Sequence, residues 1–201
     1  MKITFVRHGE TESNRKKIVQ GHIGGRLTKK GKLQARKLAK RLAKEKFDFI
    51  YSSDLQRAKE TAKEIKKYNK NTKIIYTREL RELNQGIFEG KSSEKMRQFF
   101  KSKKLSPYWK PKGGESLVEL KSRLNKFLKK IYKKHKGKHI LIIAHGGTNR
   151  AIWYICHNQI PNFNKKSKRF KVQDNCCVNI MKFTRKGKPK LVLYNCTKHL
   201  T

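Results

Sequence analysis

Acidic side chains are scarce in this chain: 14 Asp and Glu stand against 53 Lys and Arg in 201 residues, a formal net charge of +39 at pH 7. After Leu120 the only acidic residue is Asp174. Proline and cysteine occur four times each, too sparsely for a collagenous, mucin-like or disulfide-stapled chain. Cys156, Cys176, Cys177 and Cys196 form no C-x-x-C pair and no Cys/His spacing typical of zinc. Cys176 and Cys177 are poor disulfide partners, because adjacent side chains in extended backbone diverge. Long hydrophobic runs are missing as well. No stretch approaches the ~18 apolar residues of a membrane span, and the N-terminal apolar run Ile3–Val6 stops at Arg7. These absences predict a cytoplasmic protein with no membrane partner and no cysteine-held zinc.

What remains is a 35% hydrophobic chain, long enough to bury roughly 70% of its unfolded surface as one domain. A single domain over residues 1–201 is therefore expected. The positive charge is spread along the chain rather than gathered in a tail, so nucleic acid is expected only as a non-specific electrostatic partner.

The hydrophobic pattern alternates short apolar runs with helical periodicity. Ile3–Val6, Phe47–Tyr51, Lys73–Tyr76 and Ile140–Ala144 read as strands. Leu33, Leu38, Leu42 with Ala35, Ala39, Ala43 mark a helix that Thr28 can cap, and Asp54 is placed to cap the next, through Ala58, Ala62 and Ile65. Ser116 opens a third helix carrying Leu117, Leu120, Leu124, Phe127, Leu128 and Ile131, and a fourth runs through Ile152 and Ile155. Val178–Phe183 and Leu191–Tyr194 close the chain as strands. Residues at about 84–115 break the pattern and read as a lid-like excursion with a short helix. The alternation predicts a three-layer α/β/α sandwich around a mainly parallel sheet.

In such sheets ligands sit beyond the carboxyl ends of the strands. That rule selects Arg7-His8-Gly9, Ser52-Ser53-Asp54 and His145-Gly146-Gly147. Imidazoles serve as nucleophiles or proton carriers, and arginine forks match phosphate oxygens two at a time. Gly146 and Gly147 open a helix whose free N–H groups favour an anion. His8, His145, Arg7, Arg57 and that helix end can therefore converge on one phosphoryl group. A metal at these histidines is disfavoured by the two neighbouring guanidiniums.

Val6-Arg7-His8-Gly9-Glu10-Thr11 with Asn14, Ser52-Ser53-Asp54-Leu55-Gln56-Arg57-Ala58, Leu80-Arg81-Glu82-Leu83 with Glu89-Gly90, Gly113-Gly114-Glu115-Ser116 and Ala144-His145-Gly146-Gly147 occur in that order. Together they resemble the histidine phosphatase superfamily, the phosphoglycerate mutase-like enzymes. The resemblance implies a cofactor-independent phosphomonoesterase in which His8 becomes phosphohistidine and Arg7, Arg57, Asn14 and Gly146 bind the phosphate. It further implies that His145 completes the pocket and that Glu82 protonates the leaving oxygen, then activates water. That role asks for a Glu82 carboxyl that keeps its proton part of the time.

Gly24-Gly25-Arg26-Leu27-Thr28 departs from the Asp-Ser-Pro-Leu-Thr type of segment in many relatives, which bears on substrate contacts rather than on phosphoryl chemistry. The short excursion after Glu82 resembles the phosphatase branch more than the mutases. Gln20, Gly21, His22 and Ile23 are expected to contact the leaving group of a small phosphorylated metabolite. That loop and Arg169-Phe170-Lys171-Val172 resemble segments of α-ribazole phosphatases. The alternatives are a phosphoglycerate mutase, or an RNA- or polyanion-binding module with reduced catalysis.

Overall fold

The structure, a computed structural model, describes residues 1–103, 105–160, 173–184 and 187–201. The α-ribazole-like segment 169–172 lies outside the described residues. Among the described residues the strands are β1 (Lys2–Arg7), β2 (Phe49–Ser53), β3 (Ile74–Thr77), β4 (His139–Ala144), β5 (Val178–Phe183) and β6 (Pro189–Cys196). They form one sheet in the order β3-β2-β4-β1-β5-β6. The first four run parallel, whereas β5 is antiparallel to β1 and β6 to β5. The expected α/β/α sandwich with a mainly parallel sheet is what the chain forms.

The helices are α1 (Glu12–Arg15), α2 (Lys29–Leu42), α3 (Gln56–Lys66), α4 (Ser93–Ser102), α5 (Leu117–Lys134) and α6 (Gly146–Cys156). Strand β4 shows why the central run is apolar throughout. Ile140 and Ile142 face a core built with α5 and α6, while Leu141 and Ile143 face a second core built with α2 and α3. A half-exposed strand would alternate; one covered on both faces reads as a continuous apolar run. Ala35, Leu38, Ala39 and Leu42 of α2 and Ala58, Ala62 and Ile65 of α3 supply the helical side of one core. Each large side chain fully buried in this way contributes roughly 1.5–3 kcal/mol.

Helix starts follow local chemistry with one correction. Thr28 caps α2 through the Gly31 N–H, and Ser116 with Glu119 forms a capping box on α5. Asp54 does not cap α3. Leu55 holds the cap position without a side-chain bond, and the Asp54 carboxylate is drawn instead into a bidentate pair with Arg81, at 2.7 and 2.6 Å. A two-bond charge-assisted fork outweighs one exposed cap bond.

The excursion is fastened to the early loop by backbone bonds: Val19 N–H to Lys91 O, Gly90 N–H to Val19 O, and Ser93 N–H to Lys17 O. Its rings Phe88, Phe99, Phe100 and Trp109 pack on one another with centroids 5.3–6.5 Å apart. They form the excursion's own small core.

Candidate active site

Register brings the two histidines together. In the parallel pair β1–β4, Arg7 lies opposite Ala144, so the next residues, His8 and His145, leave the sheet side by side. The His8 N–H donates to Ala144 O, and the two rings sit 5.2 Å apart, tilted by 58°. Strand β2 ends beside β4, which sets the Ser53 hydroxyl 2.8 Å from His145 Nε2. The turn after β2 starts α3, and Arg57 enters the site from its first turn, 1% exposed.

The His8 ring is 2% exposed, and its Nδ1–H donates to Gly9 O at 2.8 Å. That bond fixes the tautomer and leaves the lone pair on Nε2. Burial, with the charges of Arg57 and Arg7, holds its pKa well below the ordinary 6.5, so the ring stays neutral. His145 is likewise neutral, pushed down by burial and then by Arg57, His8, Arg7 and His22. Burial lowers the Arg57 pKa to about 10, which keeps the guanidinium charged at neutral pH.

Arg57 also organises the substrate loop. Its guanidinium donates to Gly21 O at 2.7 Å and Ile23 O at 3.0 Å. Arg7 donates to Gln173 O. Glu89 accepts the His22 N–H at 2.8 Å and packs over Gly21, whose φ of +49° and missing Cβ admit the carboxylate. The His22 Nε2–H donates to Glu82 O at 2.8 Å, and Gln20 Oε1 accepts from the Thr11 hydroxyl at 3.1 Å. Asn14 belongs to a capping box: its Oδ1 accepts the Thr11 N–H and the Asn175 side-chain amide. The Asn14 Nδ2 donor is thereby left over.

The Glu82 carboxylate sits at the N-terminal end of α6. It accepts N–H groups from Gly147 (3.0 Å), Thr148 (3.2 Å) and Leu83 (2.8 Å). Two N–H groups of the helix end expected to meet phosphate therefore hold Glu82 instead. Neither Arg78 nor Arg81 pairs with it; both lie on Asp54. Glu82 nevertheless lies near enough to Arg7 and Arg57 to act on both electrostatically.

Three buried nitrogens at this place have no hydrogen-bond partner: Arg7 Nε, Arg57 Nε and His145 Nδ1. Among the described residues no group of three His, Cys, Asp or Glu side chains is arranged to hold a metal ion. The structure thus gathers His8, His145, Arg7, Arg57 and Glu82, with Gly21, His22 and Ile23 wrapped on Arg57. Sequence reading missed the supports. Ser53, Gln173 and Asn175 sit behind the histidines and Arg7, and Asn175 donates to His8 O at 2.9 Å. Only Ser53 carried a signal, as a hydroxyl at a strand end; Asn175 donates to the His8 carbonyl and Gln173 offers its own carbonyl to Arg7, pairings that only the fold brings about.

Comparison with known proteins follows the same lines. The family model described as histidine phosphatase superfamily (branch 1) matches residues 3–197. The chain is 39% identical over 158 residues to phosphoglycerate mutase-like protein 4 of Arabidopsis thaliana, covering 75% of this chain and 69% of that protein. It is 39% identical over 160 residues to the metal-independent phosphoserine phosphatase of the same plant, covering 75% and 66%. A phosphoserine phosphatase from Entamoeba histolytica, solved with 3-phosphoglyceric acid, superposes with a TM-score of 0.84 at 27% identity, covering 100% of this chain and 99% of that one.

Proposed function

The chain belongs to the histidine phosphatase superfamily, branch 1, and from that premise we propose how it works as a metal-independent phosphatase on small phosphorylated metabolites. The observation that carries the reading is the set of unpartnered buried donors, Arg7 Nε, Arg57 Nε and His145 Nδ1, beside a neutral His8. A buried donor left unsatisfied costs roughly 1–3 kcal/mol. A phosphoryl group placed there accepts from all three, with Asn14 Nδ2 as a further donor.

His8 Nε2 attacks phosphorus while the bond to the ester oxygen breaks, and Glu82, entering the step in its protonated form, gives that oxygen its proton. A water then attacks the phosphohistidine, Glu82 takes the water's proton, and inorganic phosphate leaves as the N–P bond breaks. The two guanidiniums neutralise the charge on the transferring oxygens, and the neutral His145 ring donates a hydrogen bond to them. Gln20, Gly21, His22 and Ile23 border the leaving group. Phosphoserine and 3-phosphoglycerate, named with the relatives above, are the first substrates to try.

The test is turnover of a panel of phosphomonoesters in the presence of EDTA. Release of inorganic phosphate that persists in EDTA and disappears in His8→Ala supports the reading; no turnover by the unaltered chain from acidic to neutral pH contradicts it.

A further inference from the structure

A general acid works only within hydrogen-bond reach of the oxygen it protonates, and a misplacement of about 1 Å costs on the order of 100-fold. Glu82 nevertheless sits on irregular backbone, between a 3-10 turn at Arg78–Leu80 and another at Gly86–Phe88. What holds it is a side chain from a different layer of the molecule. Arg123, in the second turn of α5, directs its guanidinium under this loop. Its NH1 donates to Glu79 O at 2.7 Å and Arg81 O at 3.2 Å; its NH2 reaches Glu82 O at 3.5 Å. Its Nε and the other NH2 proton form a fork with Glu115, at 2.9 and 2.8 Å. All five N–H donors of the guanidinium are thereby used, three of them on main-chain carbonyls at and just before Glu82.

We propose that Arg123 is the positioning residue for Glu82, with Glu115 as its orienter. It touches neither phosphate nor leaving group. Lysine cannot substitute, since an ammonium has three donors and no fork. The Thr148 hydroxyl on Arg81 O and His22 on Glu82 O hold the same segment from the opposite side, so loss of Arg123 loosens the loop without releasing it. The inference rests on Glu82 being the general acid.

That dependence sets the test, which is leaving-group dependence. An alkoxide needs a proton to leave; a dinitrophenolate does not. The full chain is compared with Glu82→Gln, Arg123→Met, Arg123→Lys and Glu115→Gln, using glycerol phosphate and 2,4-dinitrophenyl phosphate, with inhibition by inorganic phosphate as a measure of the intact pocket. For Arg123→Met, kcat on glycerol phosphate is expected to fall about 10- to 100-fold. On the dinitrophenyl ester it stays within about 3-fold, and phosphate inhibition is unchanged. Arg123→Lys fails to restore the ratio of the two rates, and Glu115→Gln shifts it in the same direction by less. If Arg123→Met does not fold, the latter two variants carry the measurement. Equal loss on both esters, or a ratio unchanged in the Arg123 and Glu115 variants while Glu82→Gln shows the selective loss, overturns the proposal and leaves Glu82 as the acid. A Glu82→Gln variant without selective loss removes the premise and the proposal with it.

Discussion

At His8 one backbone carbonyl decides which nitrogen can react. Gly9 O takes the Nδ1 proton, so Nε2 carries the lone pair. Asn14 is set by the same logic, because Thr11 and Asn175 both donate to its Oδ1 and leave the amide as donor. The depressed His8 pKa has a kinetic consequence. Protonation of the nucleophile is expected to reduce kcat/KM only below the ordinary histidine value of 6.5, and the pH profile of kcat/KM checks it. An acid limb at or above 6.5 contradicts the neutral buried ring. At this scale the reacting groups were legible because they follow strand ends directly: Arg7, His8, Arg57 and His145 each sit within four residues of one. Arg123, Gln173 and Asn175 were not legible. Arg123 and Asn175 donate to carbonyls brought near by long-range packing, and Gln173 offers its own carbonyl to Arg7; a carbonyl carries no residue identity.

Between elements, the register of β1 on β4 and the start of α6 do most of the positioning. Gly147 is a tight point: a Cβ built there lies 2.3 Å from Glu82 Oε1. Gly147→Ala is therefore expected to move the carboxylate off the helix end. Alanine otherwise favours a helix interior by roughly 0.5–1 kcal/mol, so far-UV circular dichroism should be retained. Turnover of alkyl phosphates should drop at least about 10-fold. Unchanged turnover in that variant shows that the seat on α6 is not the working position of Glu82. The elements themselves were readable from periodicity, including the caps at Thr28 and Ser116. The Asp54 cap was misread because its competitor, Arg81, is 27 residues away in sequence and adjacent only in the fold.

For the molecule as a whole, the scarcity of acid matters more than the excess of base. Glu82 and Glu89 hold backbone N–H groups at the site, while most other carboxylates are spent on nearby cations. The +39 charge is spread along the chain, and long-range attraction of anionic esters fades with ionic strength. Acid stability is set by histidines rather than by these pairs. His8, His135, His139, His145 and His199 all have pKa values lowered, first by burial. The unfolded chain then binds protons from about pH 6.5 downward that the folded chain refuses, so stability is present above that pH and lost below it. Asp48, Asp54, Glu45 and Glu119, lowered by their ion pairs and hydrogen bonds, add to the loss only below their ordinary values of 3.8 and 4.5. Thermal melts should thus begin to fall between pH 6.5 and 5; a midpoint flat down to pH 5 contradicts this. The proposed mechanism turns on the bond from His8 to phosphorus. Rapid acid-free quenching with a 32P-labelled phosphomonoester, followed by peptide mapping, tests it most directly. The expected result is acid-labile label on the peptide containing His8, absent in His8→Ala. Label on another residue, or turnover that survives His8→Ala, contradicts it.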